Sequence, residues 1–422
     1  MEKNLEQYFD RLWPLCRSIT GEGLRDSLRI LQEIIPLTLH EVPTGTPVFD
    51  WEIPKEWSIR DAWIKAPDGE VYADFKRNNL HVVNYSVPVH KKMSYEELIR
   101  HLHHLHELPE AIPYITSYYS ESWGFCLSHK DFLQLPKNGE YEVLIDSELQ
   151  SGSLTFGELV LPGETDREIL FSTYVCHPSM ANNELAGPLA AAFLYKKIAE
   201  LPRRRYTYRF VFAPETIGVI AYLARTGLHL KEKLDAGYVL TCCGDPGDFT
   251  YKRSKRGDSL ADRAAEHVLR HSGKAHRILD FEIGGSDERQ YCSAGFNLPV
   301  GSLMRTPYKE YKEYHTSLDN KSFISFSALQ ETIDMYFHFV RALELNERHT
   351  IAMPWCEPQL GKRGLYPKQG GKIRRHDDIL NLLHFISYAD GSLDLLAIAD
   401  KRPASIGEFE WIVGACREKG LL

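Results

Sequence analysis

No apolar run in this 422-residue chain approaches the roughly 18 residues that a membrane-spanning helix needs. No membrane partner is therefore expected. An excess of positive charge is missing too. Lys and Arg number 50 against 58 Asp and Glu, a formal net charge of -8, whereas a nucleic-acid-binding domain is normally basic. No nucleic-acid partner is expected. The opening residues, MEKNLEQYFDRLWPLCRSIT, have neither the basic n-region nor the apolar h-region of a signal peptide. The eight cysteines are scattered, as suits reduced thiols in the cytoplasm, the expected compartment. There is no phosphate loop, dinucleotide fingerprint or nucleophile elbow, which removes the signatures of nucleotide-dependent and serine-hydrolase chemistry. Internal repeats and low-complexity tracts are also absent. The run HLHHLHE lacks an HExxH arrangement. Its His101, His103, His104 and His106 read as the solvated face of one helix over SYEELIRHLHHLHEL.

What is present has a clear order. Hydrophobic residues make up 43% and charged residues 26%, an ordinary globular balance. Residues 1–45 read as helical, with a period near 3.6 in LRDSLRILQEII. From 46 to 160 short alternating runs broken by Pro and Gly predict a small, mostly β insert domain. From 161 to 357 strand-like and helix-like runs alternate. That rhythm implies an α/β domain, a mainly parallel sheet flanked by helices, onto which residues 1–45 pack. PQLGKRGLYPKQGGK, 358–372, reads as a linker. Residues 373–422 give three helices with short turns, a winged-helix-like module. Its last helix carries Glu408, Glu410 and Glu418, so packing or dimerisation is expected of it rather than DNA binding. A homo-oligomer is one such outcome.

Four polar positions fall beyond the predicted C-terminal ends of strands, where α/β sheets bind ligands. They are His177 after LFSTYVC, Glu215 after RFVFAP, Asp245 after YVLTCCG, and His315 in EYKEYHTSLDN. Two imidazoles and two carboxylates brought to one sheet edge suit zinc, and one carboxylate can serve as general base.

In CHPSMANNELAGP, PETIG and EYHTSLDN the chain resembles the zinc aminopeptidases and glutamate carboxypeptidases. Over nearly its full length, including CRSITGEG and YYSESWGFCLS, it resembles a bacterial aminopeptidase-like family. That family has an inserted β domain and a C-terminal winged helix, and is associated with surface-polysaccharide gene clusters. The resemblance implies that His177, Asp245 and His315 are metal ligands and that Glu215 is the base. Asn183 stands where the family pattern has a metal-bridging aspartate, and Thr216 stands where it has a ligand glutamate. An amide oxygen is neutral and a weak zinc ligand. One zinc ion is therefore expected rather than two, on His177 and His315 with help from Asn183, Glu184 or Asp245; an empty site is the other expectation.

The resulting reading is a zinc-dependent hydrolase of amide bonds, acting on a small peptide or an amide-bearing sugar or amino acid. Two other readings stay open: a catalytically impaired binding or assembly protein, and a winged-helix regulator. Arg253 in YKRSKRG, Arg305 in LMRTPY and Tyr314 are candidates for holding substrate, the arginines through a planar anionic group. Tyr118, Tyr119 and Trp123 form either a pocket wall or a packed aromatic turn. Asp287 resembles a structural acidic position, and Arg17 is a candidate to reach the cleft from the N-terminal segment.

Overall fold

A computed structural model describes residues 1–366 and 376–422 of the chain. The latter part of the expected linker and the first residues of the expected C-terminal module lie outside the described residues.

An eight-stranded sheet forms the centre. Its strands are β1 (Thr38–Pro43), β2 (Ser153–Leu161), β3 (Glu168–Tyr174), β4 (Thr207–Ala213), β5 (Leu234–Val239), β6 (Phe249–Lys252), β7 (His276–Leu279) and β8 (Val300–Met304). The spatial order is β1-β2-β4-β3-β5-β8-β6-β7. The four central strands, β4, β3, β5 and β8, run parallel. Toward the edges β1 and β2 pair antiparallel, as do β2 with β4 and β6 with β8. β3 is buried along its whole length, as a central strand covered on both faces must be. β2 begins inside the segment read as an insert, yet it pairs in the large sheet. Its VLPG ending and its register opposite RFVF tie it there rather than to the small β domain.

The helices around the sheet are α1 (Glu2–Leu12), α2 (Glu22–Gln32), α3 (Ala186–Ala199), α4 (Ile217–Lys233), α5 (Leu260–His271) and α6 (Phe326–Leu345). The chain leaves β3 through α3 to β4 and returns through α4 to β5, on the other side of β3. The ends of β3 and β4 therefore flank a switch point, with α3 and α4 in separate apolar cores on opposite faces. α3 lies so close to the sheet that a Cβ on Gly187 would meet Leu240 O at 2.4 Å and Thr173 Oγ1 at 2.5 Å. No residue larger than glycine fits without moving backbone.

Between β1 and β2 the insert builds its own antiparallel sheet. Glu56–Lys65 and Glu140–Gln150 form the middle, with Val71–Tyr72 and Val89–Ser94 outside. SYEELIRHLHHLHEL is not one helix. Only Tyr95–Leu98 is α-helical; a 3-10 turn follows, and Leu102–His103 pairs with Phe125–Cys126. His101 stacks on Trp123 at 3.6 Å and His104 Nδ1 lies 3.0 Å from His129 Nδ1. Local tertiary partners override the helical pattern here.

The C-terminal unit has α7 (His376–Tyr388), α8 (Leu395–Lys401) and α9 (Glu410–Glu418), plus Asp390–Asp394 paired with Arg348–Thr350. It packs on α5 and α6. Arg263 forks onto Asp394 at 2.8 and 2.5 Å, and His267 Nδ1 meets Asp400 at 2.7 Å. Among the described residues no helix is long and apolar enough to cross a membrane.

Candidate metal centre

His177 lies three residues past the end of β3 and is 4% exposed. Its Nδ1 sits 3.0 Å from Glu184 Oε2, which fixes the ring and turns Nε2 toward Glu215, whose Oε2 is 3.6 Å away. An imidazole braced on one nitrogen by a carboxylate and free on the other is the usual arrangement of a metal-binding histidine. Burial, then the nearby Arg17 charge, lowers the His177 pKa to about 3. Burial, then His177 and Lys309, does the same to His315, also to about 3. Both rings are neutral at neutral pH, the form that ligates metal. Their centroids are 5.4 Å apart.

Glu215 follows β4 and is only partly buried. Burial raises its pKa to about 7; Arg289 opposes this, and Glu184 and Glu288 add to it. Its neighbour Thr216 has φ 64°, a left-handed conformation costly for a β-branched residue. Two contacts hold it: its N–H donates to Asp287 Oδ1 at 2.7 Å, and Arg289 Nη2 donates to its Oγ1 at 2.9 Å.

ANNEL, Ala181–Leu185, forms one π-helical turn ahead of α3, an irregularity often found at functional sites. Its leading N–H groups converge on Asp319. Asn182 N donates to Oδ1 at 2.7 Å, Asn183 N to Oδ2 at 2.9 Å, and Ala181 N to the backbone oxygen at 2.9 Å. Asp319 is the aspartate of EYHTSLDN, so one carboxylate fastens the His315 loop to the turn carrying Asn183. The Asn183 amide nitrogen donates to Tyr174 OH at 2.9 Å. Its Oδ1 is buried with no hydrogen-bond partner.

The insert supplies the roof. Tyr114 N donates to His315 O at 2.8 Å, and Ile112 and Ser317 exchange two further bonds. This places the Tyr114 ring 5.0 Å from His177 and 5.3 Å from His315. Tyr114 OH bonds Tyr118 OH at 2.6 Å. Beneath this roof is a cavity of about 500 Å³, walled by Tyr118, Tyr119, His177, Glu215, Thr216 and His315 among others.

His177, Glu215 and His315 thus come together, with Asn183 bonded to Tyr174, whose ring lies 5.2 Å from His177. Tyr314 stacks on His315 at 3.9 Å. Three expected residues are committed elsewhere. Asp245 accepts from Thr306 N at 2.9 Å, Thr306 Oγ1 at 2.6 Å and Gly247 N at 3.2 Å; it closes a loop. Arg305 is buried over Phe249, bonding Thr332, Gly247 O, Ala328 O and Glu331. Arg253 is held by Glu266 at 2.6 Å and Asp280 at 2.7 Å. Neither arginine lines the cavity. Arg17 lies fully buried beneath the site, donating to His177 O at 3.0 Å, with Glu184 3.6 Å away. Tyr118 and Tyr119 are wall residues, while Trp123 packs on His101 inside the insert.

This donor set fits one zinc ion. Two neutral imidazoles supply a ligand type that zinc takes, the orphaned Asn183 Oδ1 is a buried acceptor without a donor among the described residues, and the Glu215 carboxylate stands 3.6 Å from His177 Nε2. A second metal does not fit, because a hydroxyl bonded by a guanidinium stands at Thr216, where the family pattern has a carboxylate.

The family model described as a domain of unknown function, DUF4910, matches residues 6–346. A winged helix-turn-helix model matches residues 348–422. The "Putative polysaccharide biosynthesis protein with aminopeptidase-like domain" of Clostridium acetobutylicum is 47% identical over 392 residues, 93% of this chain and 89% of its own. The crystal structure of a "putative peptidase" from the same organism superposes with TM-score 0.93 at 43% identity, covering 100% of this chain and 96% of that one. The zinc aminopeptidase BSAP of Bacillus subtilis shares the fold at TM-score 0.56 and 12% identity, over 81% of this chain and 93% of its own. The chain belongs to the DUF4910 family, built on an aminopeptidase-like α/β fold with a winged helix-turn-helix at its C-terminal end.

Proposed function

We propose that this chain is a zinc-dependent hydrolase of amide bonds that works with a single metal ion. One observation carries the reading: two neutral imidazoles with centroids 5.4 Å apart and a carboxylate 3.6 Å from one of them face a common cavity. Zinc, when bound, supplies a Lewis acid that polarises a carbonyl and makes water more acidic. His177 and His315 hold the ion, with Asn183 Oδ1 as the neutral oxygen available to it. Glu215 accepts a proton from the attacking water on a carboxylate oxygen and returns it to the departing amine, as a base with pKa near neutrality can. Tyr114 and Tyr118 screen the cavity from bulk water, which strengthens these electrostatic effects. The substrate is a small peptide or an amide-bearing sugar or amino acid. The Clostridium relative's name, with its link to polysaccharide biosynthesis, places amide-bearing sugars early in the order of trial. The site of action is the cytoplasm, without nucleic acid.

A second reading, a binding or assembly protein without turnover, draws on Asn183 and Thr216, both neutral where the family pattern has carboxylates. Hydrolysis of a panel of N-acyl amino acids, dipeptides and N-acetyl sugars with added zinc separates the two. The hydrolase reading requires turnover by the native chain and none by Glu215→Gln. Zinc binding without turnover of any class favours the second.

A further inference from the structure

Arg253 and Arg305 are both paired with carboxylates away from the cavity. A different arginine remains. Arg289 stands in the short helix Glu288–Tyr291, after the loop GGSD. It is part-exposed, and among the described residues its only side-chain hydrogen bond is from Nη2 to Thr216 Oγ1, 2.9 Å. Its Nε is buried without a partner. Among the described residues it makes no ion pair, whereas Arg17, Arg25, Arg209, Arg253, Arg263 and Arg305 each do. Arg289 is not itself a wall residue of the cavity, but Thr216, which it bonds, is one and follows Glu215 directly.

Two neighbours sharpen the picture. Tyr314 stacks on His315, and the Arg289 charge reaches both Tyr314 and Glu215. Lys309 is exposed, makes no ion pair among the described residues, and its charge reaches His315. An acidic protein, with net charge -8, thus keeps two cations without an ion pair among the described residues near this site, and Arg289 acts at longer range on Glu215 and Asp287. A guanidinium with spare donors in a planar fork matches a carboxylate better than any other common anion. A free amino terminus, the group an aminopeptidase must accept, would meet like charge there.

We infer that Arg289 is a specificity residue that binds a carboxylate of the substrate, so that the amide taken by this site lies next to an acidic group. This deepens the single-zinc hydrolase reading and rests on it for the amide. The carboxylate could belong to an N-acyl amino acid or to an acidic N-acetyl sugar; the chemistry at Arg289 is the same for both.

The test measures binding separately from turnover. Ligand-observed NMR on the zinc-loaded native chain compares two acid–neutral pairs: N-acetyl-L-alanine with N-acetyl-L-alaninamide, and N-acetylneuraminate with N-acetylmannosamine. The inference predicts at least tenfold tighter binding of the acid in one pair, and that pair identifies the source. The preference should vanish in Arg289→Gln, which keeps a polar side chain without the charge, and persist in part in Arg289→Lys. Circular dichroism checks that both variants are folded; if Arg289→Gln is not, Arg289→Met replaces it under the same criterion. Equal binding within both pairs, or an acid preference that survives loss of the guanidinium, overturns the inference. Carboxylate preference without hydrolysis of any probe leaves the inference standing and counts against the hydrolase reading instead.

Discussion

Replacing Asn183 by aspartate tests whether this side chain serves as a ligand in the proposed metal centre. The side chain is 2% exposed, its Nδ2 donates to Tyr174 OH and its Oδ1 has no partner. In the metal-free protein the new carboxylate is buried close to Glu184 and Asp319, both already pushed up, to about 8 and about 7, by burial. The Tyr174 hydroxyl can turn to donate to it, which offsets part of the cost. An uncompensated buried charge costs about 3–5 kcal/mol, so metal-free Asn183→Asp should be less stable than the native chain by up to about that amount. Zinc offsets part of this cost. An anionic oxygen replaces a neutral one, and zinc affinity should rise at least tenfold, about 1.4 kcal/mol. At free zinc about a hundredfold above its Kd, the variant regains about 2.7 kcal/mol. Isothermal titration calorimetry gives the affinity, and urea unfolding with and without zinc gives the stability. A folded Asn183→Asp chain with unchanged zinc affinity would show that Asn183 does not touch the metal, and the alignment of ANNELAG with the bridging motif would be wrong.

Three further outcomes follow from other parts of the site and fold. Glu215→Gln should bind zinc within about tenfold of the native affinity while losing at least about a hundredfold in kcat, the usual worth of a general base; equal losses in both would make Glu215 a ligand rather than the base. Asp319→Ala frees the N–H groups of Asn182 and Asn183 from their carboxylate and should weaken zinc binding about 10–100-fold, as loss of a ligand's support does, with calorimetry as the check. Asp394 caps α8 through Ala397 N at 3.0 Å and accepts the Arg263 fork. Burial pushes its pKa up, but the Arg263 and Ala397 hydrogen bonds outweigh it and hold the pKa below the ordinary value. Its contribution is therefore present above about pH 4, the unfolded aspartate value, and fades as pH falls through the lower folded pKa. Asp394→Ala should cost about 1 kcal/mol for the cap alone at neutral pH, and thermal melts should show the gap from the native chain closing in acid.

The strand ends carried most of the legible signal. His177 and Glu215 directly follow buried apolar runs and His315 lies in a loop beyond β8, and a sheet's strand ends bring such positions together whatever their separation in sequence. Asp245 follows a similar run, but a carboxylate past a strand can close a loop as readily as it can hold a metal. Only its partners, Thr306 and Gly247, distinguish the two. Arg253 and Arg305 read as anion binders because clustered basic residues carry no sign of direction, and each turned out to face a carboxylate of the fold itself. Tyr114 was illegible for another reason: it reaches the site through backbone pairing of Ile112–Tyr114 with the His315 loop, about two hundred residues away in the chain. Asp319 stood in full view within EYHTSLDN, yet its role as the fastening point of the ANNEL turn depends on a π-helical turn that residue periodicity does not reveal. Arg289 had no pattern to announce it, because what distinguishes it is the ion pair it lacks.

Zinc stoichiometry tests the central claim most directly. The chain should be purified without an affinity metal, dialysed against trace zinc and subjected to elemental analysis beside His177→Ala and His315→Ala. The account predicts about one zinc per native chain, the count of a single site, and loss of zinc from both folded variants. Two zinc ions per chain, or one that remains when either histidine is removed, would contradict it.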